Sequence, residues 1–128
     1  MIVSQSPTDV ATTVARVRAT LEKLKVPVFA TFDHAANAKE AGLQLRPTTV
    51  LVFGNPAVGT HLMQDQQAIA LDLPLRLAVW EDVQGHTQVG YHDVRRMADE
   101  YHVTDHETVD KLSGFMANLV KNATASTN

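Results

Sequence analysis

The chain has 128 residues, 45% of them hydrophobic and 20% charged, with a net charge of −3 and no cysteine. That is enough for one domain with a single core, and it excludes disulfides, thiolate zinc sites, iron–sulfur clusters and thiol nucleophiles. The 11 Lys and Arg are scattered without a basic run, so nucleic acid is not an expected partner.

Neither a signal-peptide pattern nor an apolar run near the roughly 20 residues of a membrane span is present. A soluble cytoplasmic protein without membrane contact is expected. In chain order, Ser6-Pro7-Thr8-Asp9 reads as a helix start, with Ser6 as N-cap and Pro7 first in the helix. Val10, Val14, Val17, Leu21 and Leu24 continue as one apolar stripe. Pro27 ends that helix and opens a strand, VFATF, reaching Phe32. Asp33 caps a short helix that Gly42 closes. Residues 48–53, TTVLVF, are apolar on both faces, as in a strand central to its sheet. Gly54-Asn55-Pro56 is a sharp turn, and a short helix is expected over residues 60–67.

From Ile69 to Val79 every second residue is apolar, which predicts a long strand over residues 69–82 with one buried face. Pro74 places that strand at an edge or bulges it. Residues 81–85 turn the chain, and residues 86–91 return antiparallel. Asp93 caps a helix to about Tyr101, and Thr104-x-x-Glu107 is a capping box for a final helix carrying Val109, Leu112, Phe115, Met116 and Leu119. Residues 124–128 are expected to fray. The whole predicts one α+β domain over residues 1–128, a mainly antiparallel sheet of 4–5 strands with helices packed on one face.

Several segments match a known pattern together: FDHAANAKEAGL (32–43), LRPTT (45–49), FGNP (53–56), GT (59–60) and LDLPLRLAVWED (71–82). Over about residues 6–102 the chain resembles the bacterial family called domain of unknown function 302. The resemblance implies an α+β fold and a homodimer, with no established activity. Another branch of the family has a Cys-Asn-Pro turn and a Leu-Pro-Cys strand. Gly54-Asn55-Pro56 and Leu73-Pro74-Leu75 stand at the matching positions here, so any thiol chemistry of that branch cannot operate in this chain.

Asp33-His34 lies at a strand-to-helix junction and could act as a general base pair; the commoner arrangement is a cap beside an exposed first-turn residue. Asn55 before Pro56 could offer its amide to a ligand, or bond its own backbone. Gly54, Gly59 and Thr60 frame a loop whose backbone N–H groups could hold a small anion. Trp80-Glu81-Asp82 sets an aromatic wall beside two carboxylates, or is a solvated turn. His61 and Asp65 could share one helical face, yet the six histidines form no zinc-ligand pattern. No metal site and no cofactor are expected. The expected function is a small-molecule- or anion-binding module, or an interaction module, with Asp33, His34, Asn55, Thr60, Trp80 and Glu81 as site residues. The alternative is a hydrolase or isomerase using Asp33, His34 and Glu81 as acid–base groups.

Overall fold

In the computed structural model, which describes residues 1–126, the order is β1 (Ile2–Ser6), α1 (Val10–Lys23), β2 (Val28–Asp33), α2 (His34–Glu40), β3 (Thr48–Phe53) and α3 (Pro56–Asp65). A 3₁₀ helix (Gln67–Asp72) follows, then β4 (Leu75–Glu81), β5 (Thr87–Tyr91), α4 (Val94–Glu100) and α5 (His106–Ala123). The strands form one five-stranded sheet in the order β1-β5-β4-β3-β2, every neighbouring pair antiparallel. The α+β architecture read from the sequence is therefore the one observed.

The register puts apolar residues opposite one another on the inner face: Leu51 against Leu77, Phe53 against Leu75, Val79 against Val89. These join Val17 and Leu21 of α1, Leu62 of α3, Val94 and Met97 of α4, and Met116 and Leu119 of α5 in one core. Each fully buried aliphatic side chain contributes about 1.5–3 kcal/mol of transfer free energy. Helices therefore cover one face. On the other face, Val3, Gly90, Ala78, Val50 and Phe32 form an apolar row across all five strands.

Local chemistry explains most boundaries. Asp9, Asp33, Asn55, Asp93 and Asp105 each accept hydrogen bonds from backbone N–H groups of the helix that follows, which satisfies amides that the first turn leaves unpaired. Gly42 at φ +79° and Gly85 at φ +83° provide the left-handed turns that end α2 and close the β4–β5 hairpin.

Five sequence expectations are corrected. Ser6 does not cap α1: it ends β1, buried, with its Oγ 2.7 Å from Thr13 Oγ1, and Asp9 is the cap. The apolar stripe stops at Leu21, because Leu24 lies beyond the last turn and is exposed. The helix expected from residue 60 begins four residues earlier, because Asn55 and Pro56 are a complete start signal by themselves. The long strand is two elements. Residues 67–72 wind into the 3₁₀ helix, which buries Ile69 but leaves Leu71 81% exposed, and β4 begins after Pro74. Lastly, Thr104 does not cap α5: its backbone N–H and hydroxyl both donate to Asp65, and Asp105 takes the cap. In the expected tail, Thr124 still bonds back to Val120 through its N–H and its hydroxyl, while residues 127 and 128 lie outside the described residues.

Candidate functional site

The six site residues read from the sequence fall in three places. β3 is six residues long, about 17–20 Å from end to end, and different residues gather at each end.

Asp33 pairs with Thr49 at one end of β3, and Trp80 pairs with Thr48 on the other side. Asp33 and Glu81 share an open groove there of about 1280 Å³, between the first turns of α1 and the arm formed by α2 and residues 43–47. Asp33 Oδ1 is spent on the Ala36 N–H at 2.9 Å. The Glu81 backbone is clamped, its N–H donating to the Pro47 carbonyl and its carbonyl accepting from Arg46 Nε. His34 is outside the groove lining and stacks on Phe32, ring centroids 6.2 Å apart and 15° from parallel. Of the three acid–base groups, the groove therefore brings Asp33 and Glu81 together and leaves His34 outside its lining.

Trp80 lies on the outer sheet face. A Cβ on Gly90 would come within 2.9 Å of two indole ring carbons, so the glycine is what lets that edge of the ring lie against β5. Asp82, which follows Glu81, organises the hairpin: it accepts from the Gln84 and His86 N–H groups and from Gln88 Nε2. The Gln88 side chain foremost, then these backbone bonds, hold its carboxyl below the usual carboxylate range.

Asn55 and Thr60 are at the far end of β3, with a second cavity. It measures about 270 Å³ and is framed by the Gly54-Asn55-Pro56 turn, the Leu73-Pro74-Leu75 segment and Leu112 of α5. The Leu73–Pro74 peptide is cis. An adjoining cavity of about 520 Å³ shares Gly54, Asn55, Val58, Leu75 and Leu112 with it and opens between α3 and α5 toward His61 and Lys111. Asn55 Oδ1 accepts from the Ala57 and Val58 N–H groups, and the Gly59 N–H reaches the Asn55 carbonyl. The first amides of α3 are thus already bonded, which leaves no anion cradle of the kind the loop sequence suggested.

Sequence reasoning missed Phe29, Met63, Leu73 and Leu112, which wall the smaller cavity. The Gly-Asn-Pro and Leu-Pro steps that frame it were the available signal. Asp65, singled out in the sequence only as a possible partner of His61, instead accepts from the Thr104 and Asp105 N–H groups at 2.8 Å each and from the Thr104 hydroxyl. The Asp105 amide is the main cause of its lowered pKa. With Asp65 committed to tying α3 to α5, a His61–Asp65 metal pair has no free carboxylate. Among the described residues no three His, Asp or Glu are grouped to hold a metal.

A family model described as "Domain of unknown function DUF302" matches residues 2–119. The chain belongs to this family. The match runs beyond the segments recognisable by eye, taking in β1 and most of α5. A DUF302 protein from Bacillus stearothermophilus, described as an uncharacterized conserved protein, has a crystal structure that superposes with a TM-score of 0.85. Identity is 18%, covering 95% of this chain and 96% of that one; at that identity the likeness shows the shared DUF302 fold. A curated relative from Brucella suis, named fluoride-specific ion channel FluC 1, is 43% identical over 101 residues, which are 79% of this chain and 40% of the relative. Counterparts from Brucella abortus and Brucella melitensis, named FluC 1 and FluC 2, are also 43% identical, over 37% of their lengths. This DUF302 chain thus spans about two fifths of the curated relatives it matches. No helix among its described residues is long and apolar enough to cross a membrane.

Proposed function

We propose that this DUF302 domain is a small-ligand-binding module whose site is the cavity at the Asn55–Pro74 end of the sheet. The observation that carries the reading is the construction of that cavity. Two segments far apart in sequence, at residues 54–56 and 73–75, meet over Leu112 to frame a mostly apolar concavity, the usual form of a small-molecule site. The opposite groove supports an acid–base enzyme less well, since Asp33 serves its own helix and His34 stands apart. The fluoride channel named for the Brucella relatives does not transfer, because the matched region is 37–40% of those chains. It supports instead a module that can form one part of a longer protein. A thermal-shift screen of uncharged and charged metabolites tests the reading. Binding compounds raise the melting temperature of the wild type and not of Gly59→Leu, whose side chain grows toward Leu73 and Met63; a screen with no such compound refutes it.

The module acts, in this proposal, as a homodimer joined through the outer sheet face. That face carries the apolar row from Val3 to Phe32, and Arg76 is its one charged strand residue. A two-fold axis across the strands at Ala78 sets Arg76 of one copy over Trp80 of the other, twice, a favourable cation–π geometry. The accessible surface is 7814 Å² for a 14.0 kDa chain, where a monomer of that mass exposes about 6,700 Å². The difference is on the order of the 800 Å² per partner that a standard interface buries. Light scattering should give twice the chain mass for the wild type and a folded monomer for Val50→Arg. A wild-type monomer refutes the dimer and leaves the cavity reading standing.

A further inference from the structure

The cavity's lining says which chemistry it accepts. None of the residues around the 270 Å³ cavity is ionisable. Its two polar side chains are largely committed: Asn55 Oδ1 to the Ala57 and Val58 N–H groups, and the Thr60 hydroxyl to the Pro56 carbonyl at 2.7 Å. What remains is the Asn55 side-chain NH2 at the exposed rim, a neutral donor. In the adjoining cavity Lys111 Nζ lies 3.2 Å from Glu107 Oε1 and Asp105 bonds the N–H and hydroxyl of Thr108, with His61 the remaining ionisable side chain. Within the 270 Å³ cavity a charged ligand would therefore lose its hydration without gaining a partner, and such transfers are strongly disfavoured.

The walls also fix size and shape. An apolar cavity of about 150 Å³ accepts one benzene ring, so 270 Å³ has room for about two rings. Phe29 is half exposed on the rim, where a flat ring can stack on it, and the flexible Met63 thioether adapts to aromatic edges. Gly59 faces the same space: a Cβ there meets only Leu73 Cδ1 and Met63 Cε, both at 3.9 Å.

We infer that this cavity binds an uncharged one- or two-ring molecule, with at most a neutral acceptor turned toward Asn55, and discriminates against charged analogues of the same size. The inference rests on the ligand-binding reading above and narrows it to a chemical class.

The test uses three near-isosteric probes, the neutral indole-3-acetamide, the anionic indole-3-acetate and the cationic tryptamine, titrated into the full chain. The readout is the methyl NMR shifts of Met63, Leu73 and Leu112. The acetamide is expected to move these methyls with an affinity at least tenfold above either charged probe. Gly59→Leu should abolish its shifts while circular dichroism and melting stay native-like. Gly59→Ala, whose methyl sits at ordinary contact distance, weakens it in the same direction and decides the matter if the larger side chain prevents folding. A charged probe that binds the same methyls as tightly as the acetamide overturns the class and leaves the site intact. If no probe moves them, or binding persists unchanged in both Gly59 variants, the class and the cavity reading fall together.

Discussion

Gly90→Ala tests how the outer face is built. The new methyl carbon would lie 2.9 Å from Trp80 Cη2 and Cζ3 and 3.1 Å from Met1 Sδ. Carbon pairs rest at about 3.5–4.0 Å, so the indole must retreat by roughly 1 Å or swing off the sheet. Overpacking of this kind costs about 1–3 kcal/mol, and replacing a strand glycine returns about 0.5–1 kcal/mol. The net expectation is a loss of about 0.5–2 kcal/mol, a fall in melting temperature of roughly 2–8 °C for a domain of this size. Trp80 is the only tryptophan, so its emission reports the displacement directly and should shift to the red. In a Trp80→Leu background the penalty should largely vanish, giving a coupling energy on the order of 1 kcal/mol in a double-mutant cycle. A variant that melts higher than wild type with unchanged emission would refute the reasoning, since the methyl would then have been accommodated without moving the ring.

Gly114 sits mid-α5 with nothing within 4 Å of a built Cβ, so Gly114→Ala should raise stability by about 1 kcal/mol in urea denaturation. Asn55→Ala frees the Ala57 and Val58 N–H groups and should lower stability by about 1 kcal/mol in the same assay. Asp9, Asp65, Asp82 and Asp105 all titrate below their ordinary value of 3.8 when folded. The unfolded chain therefore binds protons first, and the stability these carboxylates contribute is complete above that value and lost as pH falls through the folded values. Melting temperature should drop on acidification below about pH 4, and Asp65→Asn should flatten that slope. Tyr101, hydrogen-bonded to Asp72, is pushed up to about 12 from 10.0. Its contribution is present below pH 10 and lost as pH rises toward 12, so Tyr101→Phe should remove an alkaline fall in melting temperature over that window.

Elements whose signals were local were legible. The Asp33 and Asp93 caps, the Gly42 stop and β3 at residues 48–53 stand where propensity and periodicity put them. Misreadings arose where a tertiary contact outbid a local pattern. Ser6 has the neighbours of a helix cap, but strand pairing with Thr87 and the bond to Thr13 claim it. Thr104 has the spacing of a capping box, but Asp65, 39 residues away, takes both its donors. Ile69 and Leu71 keep a strand's alternation, yet one is buried and the other exposed because the backbone there is a 3₁₀ turn. For the site, chemistry-bearing residue types pointed to Asp33, Asn55 and Glu81 but could not say that they occupy opposite ends of one strand. That depends on register, which only the folded sheet supplies. Phe29, Met63 and Leu112 carried no signal as site residues, because in sequence they are indistinguishable from core, and Leu73 was marked only by its place before Pro74.

The position of β1 also bears on how the chain folds. Residues 2–6 are synthesised before the other strands of this domain, yet their partner in the sheet is β5 at residues 87–91, roughly 80 positions later. Closing a loop of that length costs about 2.5 kcal/mol more in chain entropy than closing the five-residue β4–β5 hairpin turn. The hairpin can therefore zip early, whereas the first strand waits unpaired while most of the domain emerges from the ribosome. Non-local pairing of this kind slows folding. Substitutions in β1 that leave the native sheet intact should accordingly change the unfolding rate more than the folding rate.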